Sequence, residues 1–167
     1  MVANADINTA DTDSARLAPP PTPGQADKSI RKIAVLFTDI IGSTRFFQSH
    51  GNVAGRNMLQ QHEGIVSTTI ARFGGTVVKN LGDSIMAYFL SPLEATKTAV
   101  QIQKEFEEYN KEHGNGHKIH VRIGIHFDEG IVEDTDIFGN AVNIASKITD
   151  LAGSNQIFIS HSVFNLV

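Results

Sequence analysis

The chain has 167 residues, a formal net charge of −4 and no cysteine. This length favours one domain, and the lack of cysteine excludes a disulfide framework and a thiolate metal site. The basic residues are scattered and no apolar run is long enough to span a membrane, so we expect no nucleic-acid partner and no direct membrane contact by this segment. The N-terminus has no apolar signal core, and we therefore expect a cytoplasmic domain.

Residues 1–30 are predicted to be a disordered, proline-rich tail or linker. Four of the five prolines are Pro19, Pro20, Pro21 and Pro23. This spacing is typical of extended polyproline II, and the small polar residues before it have little apolar surface to bury. A role as a PxxP ligand stays open as the less common use. The folded domain is expected to occupy residues 31–167.

Apolar periodicity and turn residues predict strands and helices in alternation after residue 31. The predicted elements are a strand at 33–37, a helix at 53–73, a hairpin with strands at 76–78 and 84–90, a helix at 92–110 that opens with a capping box at Ser91, a strand at 118–128, a short returning strand at 130–133, a helix at 140–152 and a strand at 156–160. The order is βαββαβ with additional elements. It predicts an α+β, ferredoxin-like fold with helices packed on one face of the sheet.

Histidines on these elements are interpreted as structural or surface residues. His62 lies on the apolar face of a predicted helix, which is typical of a packed histidine. His120 and His126 lie on the polar side of the predicted strand at 118–128. No third ligand is near them in the sequence, so we interpret both as surface or dimer-facing residues and not as a zinc site.

Gly42, Ser43 and Thr44 follow the first predicted strand at the point where a helix is expected to begin. Gly42 allows the chain to turn, and Ser43 and Thr44 can cap the helix. Backbone N–H groups at a helix start form a natural phosphate site. An ordinary helix cap is the alternative interpretation.

Two aspartates stand at the ends of apolar strands. Asp39 ends the first strand, and Asp83 lies in the hairpin turn. Both could be turn residues, which is a common use of aspartate. The flanking apolar strands would partly desolvate a shared site, where two carboxylates about 4 Å apart repel by roughly 4 kcal/mol at an effective dielectric constant near 20. A divalent cation removes that repulsion, and oxygen ligands suit Mg²⁺ or Mn²⁺.

Three segments occur in the order of a known family: FTDIIGST at 37–44, KNLGD at 79–83 and DIFGNAVNIASK at 136–147. They resemble the signature segments of class III nucleotidyl cyclases, the adenylyl and guanylyl cyclase catalytic domain. The resemblance covers roughly residues 33–167. Domains of this family usually continue with further strands, so the resemblance implies that the C-terminal end is truncated here and that regulatory domains lie outside this sequence.

By this resemblance, Asp39 and Asp83 bind two Mg²⁺ or Mn²⁺ ions together with the backbone carbonyl of Ile40. In such a two-metal site, the ribose 3′-hydroxyl of the nucleotide attacks the α-phosphate and pyrophosphate leaves. No covalent protein intermediate is needed.

Lys79 and Asp136 match the base-reading pair of the family. Adenine presents an acceptor beside a donor, which a lysine and an aspartate complement, whereas guanine presents the reverse pattern. The resemblance therefore implies ATP over GTP, since mispaired polar groups can discriminate by about 10⁴. The alternative roles are a solvated hairpin lysine for Lys79 and a turn or cap residue for Asp136.

Asn143 matches the family's ribose-orienting asparagine. Lys147 stands where the family usually has an arginine that stabilises the transition state. The two residues are four apart and share a helix face. Lysine keeps the charge but lacks the planar fork of donors, so we expect slower chemistry with retained nucleotide binding.

The resemblance also implies a homodimer with two shared active sites. Asp39 and Asp83 would come from one protomer, and the base, ribose and transition-state residues from the other. The implied function is an adenylyl cyclase that makes 3′,5′-cyclic AMP and pyrophosphate. A low-activity or inactive nucleotide-binding regulatory module is the alternative favoured by Lys147 and the short C-terminal end. A guanylyl cyclase is disfavoured by Lys79 and Asp136.

Overall fold

The structure is a computed structural model that describes residues 29–113, 116–134 and 136–167. The predicted proline-rich tail, up to residue 28, lies outside the described residues. The elements are β1 (Ser29–Ile40), α1 (Ser43–Arg72), β2 (Thr76–Asn80), β3 (Ser84–Phe89), α2 (Pro92–Glu112), β4 (Val121–Glu133), β5 (Asp136–Phe138), α3 (Asn140–Leu151), β6 (Ile157–Ile159) and α4 (His161–Phe164). Within the described ranges, no helix is both long and apolar enough to cross a membrane.

The strands form one mixed sheet in the order β2-β3-β1-β4-β5, with β6 parallel to β4 and the other pairs antiparallel. The central strand, β1, pairs with β3 on one side and with β4 on the other. Residues 33–38 of β1 are buried, which explains their continuous run of mostly apolar residues. The α+β class and the predicted strand at 33–37 are confirmed.

Helices cover both faces of this sheet. One face of β1 packs against α1 and α2, and the opposite face packs against α3. The first face includes Ala34, Leu36 and Ile40, and the second includes Ile33, Val35 and Phe37 together with Ala141 and Ala145 of α3. The expectation of helices on one face is therefore wrong for α3. Because β1 is apolar on both sides, each side needs a covering layer.

The region after residue 120 differs from the prediction in its strand boundaries. β4 continues without a break to Glu133, and it pairs with β1 along the whole length of β1. The returning strand is β5, which pairs with residues 131–133 of β4. Gly130 resembled a turn residue in the sequence. In the sheet, a side chain there would clash with Ile33, because its Cβ would lie 2.7 Å from the Ile33 side chain.

Serine side chains cap the helices α2 and α4. The Ser91 side chain accepts a hydrogen bond from the Glu94 amide at the start of α2, and Ser160 caps α4 in the same way. Leu151, an apolar residue of the predicted helix at 140–152, is 74% exposed. It is the last residue of α3, whose buried stripe is carried by Ala141, Ala145 and Thr149.

Close packing of α3 on β4 depends on Gly124. A Cβ at this position would lie 2.5 Å from the backbone nitrogen of Thr149, which cannot move aside like a side chain. We expect Gly124→Ala to lower the free energy of unfolding by about 3 kcal/mol, the cost of overpacking a tight contact. Gly64→Ala is the matched control because its Cβ meets no atom within 4 Å on α1, and it should raise stability by about 0.5 kcal/mol. Equal urea midpoints for the two variants would contradict this prediction.

Candidate active site

The two candidate metal-binding aspartates lie at the same end of the β1–β3 pair. Asp39 is opposite Ser84 in the ladder. Asp83 lies in the turn that precedes β3, and its carbonyl accepts a hydrogen bond of 3.1 Å from the Ile40 amide. Gly82 makes this turn possible, because its φ of 86° lies in the left-handed region that other residues rarely adopt. The strand end and the turn therefore bring Asp39, Ile40 and Asp83 together.

Both carboxylate oxygens of Asp39 already accept hydrogen bonds. Oδ1 accepts from the Ser84 hydroxyl at 2.9 Å. Oδ2 accepts from Nε and Nη2 of Arg122, at 2.8 and 2.7 Å. Arg122 also donates to the backbone carbonyl and to Oδ1 of Asp150, at 2.9 and 3.1 Å. The Asp39 carboxylate is therefore paired with a positive charge.

Ser43 has a different role from the expected helix cap. The N-cap of α1 is Gly42, which has a φ of 75° and makes no side-chain cap. The buried Ser43 hydroxyl donates instead to Oδ2 of Asp83. The first turn of α1 contains no acidic residue of its own, and the nearby negative charge at Gly42, Ser43 and Thr44 is the Asp83 carboxylate. The phosphate-binding role of these three residues stays a prediction.

The donor groups at this end fit a divalent cation that is bound together with a phosphate ligand. No cluster of three or more metal-binding side chains occurs in the described part of the chain. The available protein oxygens are the carboxylates of Asp39 and Asp83 and the carbonyl of Ile40. The ion pair with the Arg122 guanidinium shows that the Asp39 carboxylate is accessible to a positively charged group. Mg²⁺ commonly takes one or two carboxylates and completes its shell with substrate phosphates and water.

Lys79 and Asp136 form an ion pair between opposite edges of the sheet. Lys79 lies on β2 and Asp136 on β5, and the distance from Nζ to Oδ2 is 2.6 Å. The hydrogen bond from Lys79 holds the pKa of Asp136 below its usual value, and the Ile137 amide adds a second hydrogen bond to Asp136. The curvature of the sheet thus joins the two residues predicted to read the base.

A β-bulge sets the direction of Lys79. The register of β2 and β3 shifts between Val77 and Lys79, so that Lys79 lies opposite Met86 while Val78 is left without a ladder partner. Lys79 and Met86 then line the same cavity. Bulges often re-aim a side chain next to a functional site.

This cavity has a volume of about 600 Å³ and lies between the sheet and the start of α3. Its lining includes Phe37, Lys79, Met86, Asn140 and Asn143. The structure therefore places Lys79 and Asn143 in the cavity lining, with Asp136 beside it through its ion pair with Lys79. It groups Asp39, Ile40, Ser43 and Asp83 at the end of β1. Lys147 is exposed on α3 and belongs to neither group of residues.

Arg122 and Ser84 are site residues that the sequence analysis missed. Both fall within predicted strands, Arg122 in the strand at 118–128 and Ser84 at the start of the strand at 84–90. The β1–β4 register puts Arg122 opposite Asp39. No sequence signal within either strand specifies that register, so Arg122 could not be assigned to Asp39 from the sequence.

His62 is packed below this end of β1, as the sequence indicated. It is fully buried, and its Nε2 lies 3.1 Å from the hydroxyl of Thr38, the residue before Asp39. The ring stacks on Phe106. Burial lowers the pKa of His62 to about 4, and the negative charge of Asp83 opposes this shift only partly.

His126 corrects the expectation of a surface position. Its side chain is buried, and its Nδ1 lies 3.5 Å from the Ser162 hydroxyl of α4. α4 follows the last predicted strand, and its contact with His126 joins segments that are distant in the sequence.

The buried His62 should make the protein less stable in acid. The unfolded histidine takes up a proton near pH 6.5, whereas the folded one does so only near pH 4. Between these values the unfolded state binds more protons, so stability falls as the pH is lowered. We expect His62 to contribute a loss of roughly 2 kcal/mol between about pH 7 and about pH 4.5. His62→Phe should lack this loss in urea unfolding, and an unchanged pH dependence in the variant would contradict the prediction.

Comparison with known proteins assigns the chain to a family. Residues 26–167 match the family described as the adenylate and guanylate cyclase catalytic domain. An adenylate cyclase from Anabaena cylindrica is 29% identical over 157 residues, which cover 83% of this chain and 31% of that protein. The chain spans less than one third of the length of its curated relatives.

Solved structures show the same fold at lower identity. The adenylyl cyclase CyaB from P. aeruginosa has a TM-score of 0.77 and 22% identity, covering 84% of this chain and 82% of that chain. The guanylyl cyclase Cya2 has a TM-score of 0.76 and 23% identity, covering 84% and 79%. The fold is therefore similar to proteins of both specificities. The match over residues 26–167 shows that the chain belongs to the adenylate and guanylate cyclase catalytic domain family.

Proposed function

We propose that the chain is the catalytic domain of an adenylyl cyclase, which converts ATP to 3′,5′-cyclic AMP and pyrophosphate. The observation that supports this choice most directly is the pairing of Lys79 with Asp136 beside the cavity that Asn143 lines. In a nucleotidyl cyclase, these residues offer one donor and one acceptor for a base.

The pair complements adenine better than guanine. The Lys79 ammonium can donate to a ring nitrogen of adenine, and the Asp136 carboxylate can accept from its amino group. Guanine would place a donor against Lys79 and an acceptor against Asp136. The two side chains satisfy each other, so a mismatched base would break their contact without replacing it. The cavity of about 600 Å³ is in the range of small-molecule sites.

The residues at the end of β1 would bind the metal ions and the phosphates. Asp39, Asp83 and the Ile40 carbonyl would hold two Mg²⁺ or Mn²⁺ ions together with phosphate oxygens. When bound, such ions activate the ribose 3′-hydroxyl and neutralise the charge that develops on the leaving pyrophosphate. Ser84 orients the Asp39 carboxylate and Ser43 orients that of Asp83. The amides at the start of α1 would contact phosphate at Gly42, Ser43 and Thr44.

A homodimer would assemble the complete site. The cavity lining includes Lys79 and Asn143 but neither Asp39 nor Asp83. In the proposed dimer, the aspartates of one protomer face the base-reading pair, Asn143 and Lys147 of the other, and ATP binds between them. Two equivalent sites follow from the two-fold symmetry of such a dimer.

A regulatory module that binds nucleotide with little turnover is the second candidate. Lys147 favours it, because the side chain is exposed and stands where a forked guanidinium is usual. Cyclic nucleotide production in the presence of Mn²⁺, measured with ATP and with GTP, separates the candidates. Cyclic AMP from ATP supports the proposed function. Product from GTP alone would indicate a guanylyl cyclase, and nucleotide binding without product would indicate the regulatory module.

Lys147→Arg should raise the turnover of ATP by about tenfold. A guanidinium can donate two parallel hydrogen bonds to a phosphate, whereas an ammonium acts as a single point of charge. The effect should appear in kcat and leave KM nearly unchanged, because the contact between the guanidinium and the phosphate strengthens only as negative charge develops in the transition state. Lys147→Met serves as the uncharged control and should be slower than the wild type. An unchanged kcat in Lys147→Arg would contradict a transition-state role for this residue.

A further inference from the structure

We propose that Arg122 is an internal counter-ion of the metal site. It competes with divalent cations for Asp39, and Asp150 serves as its second partner when a cation binds. This inference rests on the proposed function, in which Asp39 binds metal. It adds a residue that regulates the metal affinity of the protein before nucleotide arrives.

The guanidinium lies between two carboxylates. Arg122 is directly opposite Asp39 in the β1–β4 ladder. Its Nε and Nη2 donate to Asp39, while Nη1 and Nη2 donate to the carbonyl and the carboxylate of Asp150. The side chains of Arg122 and Asp39 are 22% and 16% exposed, whereas that of Asp150 is 68% exposed. The pair with Asp39 is therefore the better shielded of the two ion pairs.

A cation that approaches Asp39 has to displace one of its donors. Ser84 can stay close, because a hydroxyl also has lone pairs that accept or coordinate. Arg122 has only N–H donors and no acceptor, so it cannot coordinate a cation. Its positive charge at Oδ2 repels a divalent ion at the same oxygen. Arg122 is consequently the group that has to leave.

Asp150 lowers the cost of that displacement. It lies near the C-terminus of α3, where its backbone carbonyl carries part of the negative end of the helix dipole. Because Arg122 already bonds this carbonyl and the Asp150 carboxylate, a guanidinium that leaves Asp39 keeps an anionic partner. Removing Arg122 should therefore tighten metal binding, and removing the Asp150 charge should weaken it.

The test is a Mn²⁺ titration of the nucleotide-free protein, followed by electron paramagnetic resonance or calorimetry. Arg122→Gln should bind Mn²⁺ at least about tenfold more tightly than the wild type, because a like charge has been removed from the site. Asp150→Asn should bind it several-fold more weakly. In the Arg122→Gln background the Asp150→Asn change should have almost no effect, which separates loss of the partner from a general loss of negative charge. Arg56→Gln, an exposed change on α1, is the matched control for net charge.

Equal or weaker Mn²⁺ binding by folded Arg122→Gln would overturn the inference. If Arg122→Gln does not fold, Asp150→Asn is the test, because the Asp150 side chain is exposed and its replacement should leave the fold intact. An unchanged Mn²⁺ affinity in Asp150→Asn would also overturn the inference. The proposed function is checked separately with Asp83→Asn. If Asp83→Asn binds Mn²⁺ as tightly as the wild type, the proposed metal-binding role of Asp83 is contradicted. Binding that depends on Asp83 but is not tighter in Arg122→Gln contradicts only the role of Arg122.

Discussion

Asp39→Ala and Asn143→Ala should each lose cyclic AMP production by about 10³-fold, and an equal mixture of the two should recover about a quarter of the wild-type activity. The loss in Asp39→Ala is large because a metal ion contributes several kcal/mol of transition-state stabilisation. Asn143 lines the cavity beside Lys79, and its loss would remove the group that we propose orients the ribose.

The recovery follows from the geometry of a shared site. If Asp39 comes from one protomer and Asn143 from the other, a mixed dimer places both substitutions in one site and leaves the second site intact. Half of the dimers in a random mixture are mixed, and half of their sites work. Activity should be followed after subunit exchange, with urea unfolding of each variant to show that it is folded. Glu108→Gln, an exposed change on α2 outside the site, is the control. A mixture as inactive as its parts would contradict the shared site.

Exchange of the proposed base-reading residues, Lys79 and Asp136, should reverse the preference for ATP over GTP. The double variant Lys79→Glu with Asp136→Lys can keep an ion pair between β2 and β5, so we expect it to fold. The donor and the acceptor would change places, which complements guanine instead of adenine. The ratio of kcat/KM for ATP over GTP should fall by about 10³-fold, within the range that polar mispairing can produce.

The two single variants are the controls for this exchange. Lys79→Glu alone places two carboxylates together, and Asp136→Lys alone places two ammonium groups together. Because like charges repel at this short range, each single variant should lose activity with both nucleotides. Activity is measured with ATP and with GTP at saturating Mn²⁺. A double variant that folds and still prefers ATP by the wild-type ratio would show that other residues select the base.

Local sequence features predicted most of the elements because their signals act over a few residues. The buried strand β1 followed from its apolar run, and the start of α2 followed from the capping box at Ser91. The hairpin of β2 and β3 followed from β-branched residues on each side of a glycine turn. The short strand β5 was missed, because three residues carry little periodicity and its pairing with β4 is specified from outside the segment.

Within the candidate site, the sequence by itself determined the residue types and their order. These are two aspartates at strand ends, a lysine in a hairpin and a third aspartate 57 residues after that lysine. Only the tertiary structure decided that Lys79 meets Asp136 across the edges of the sheet and that Arg122 lies on Asp39. Sheet curvature and strand register set these contacts. Both arise from pairing and packing between distant segments, which no single stretch of sequence encodes.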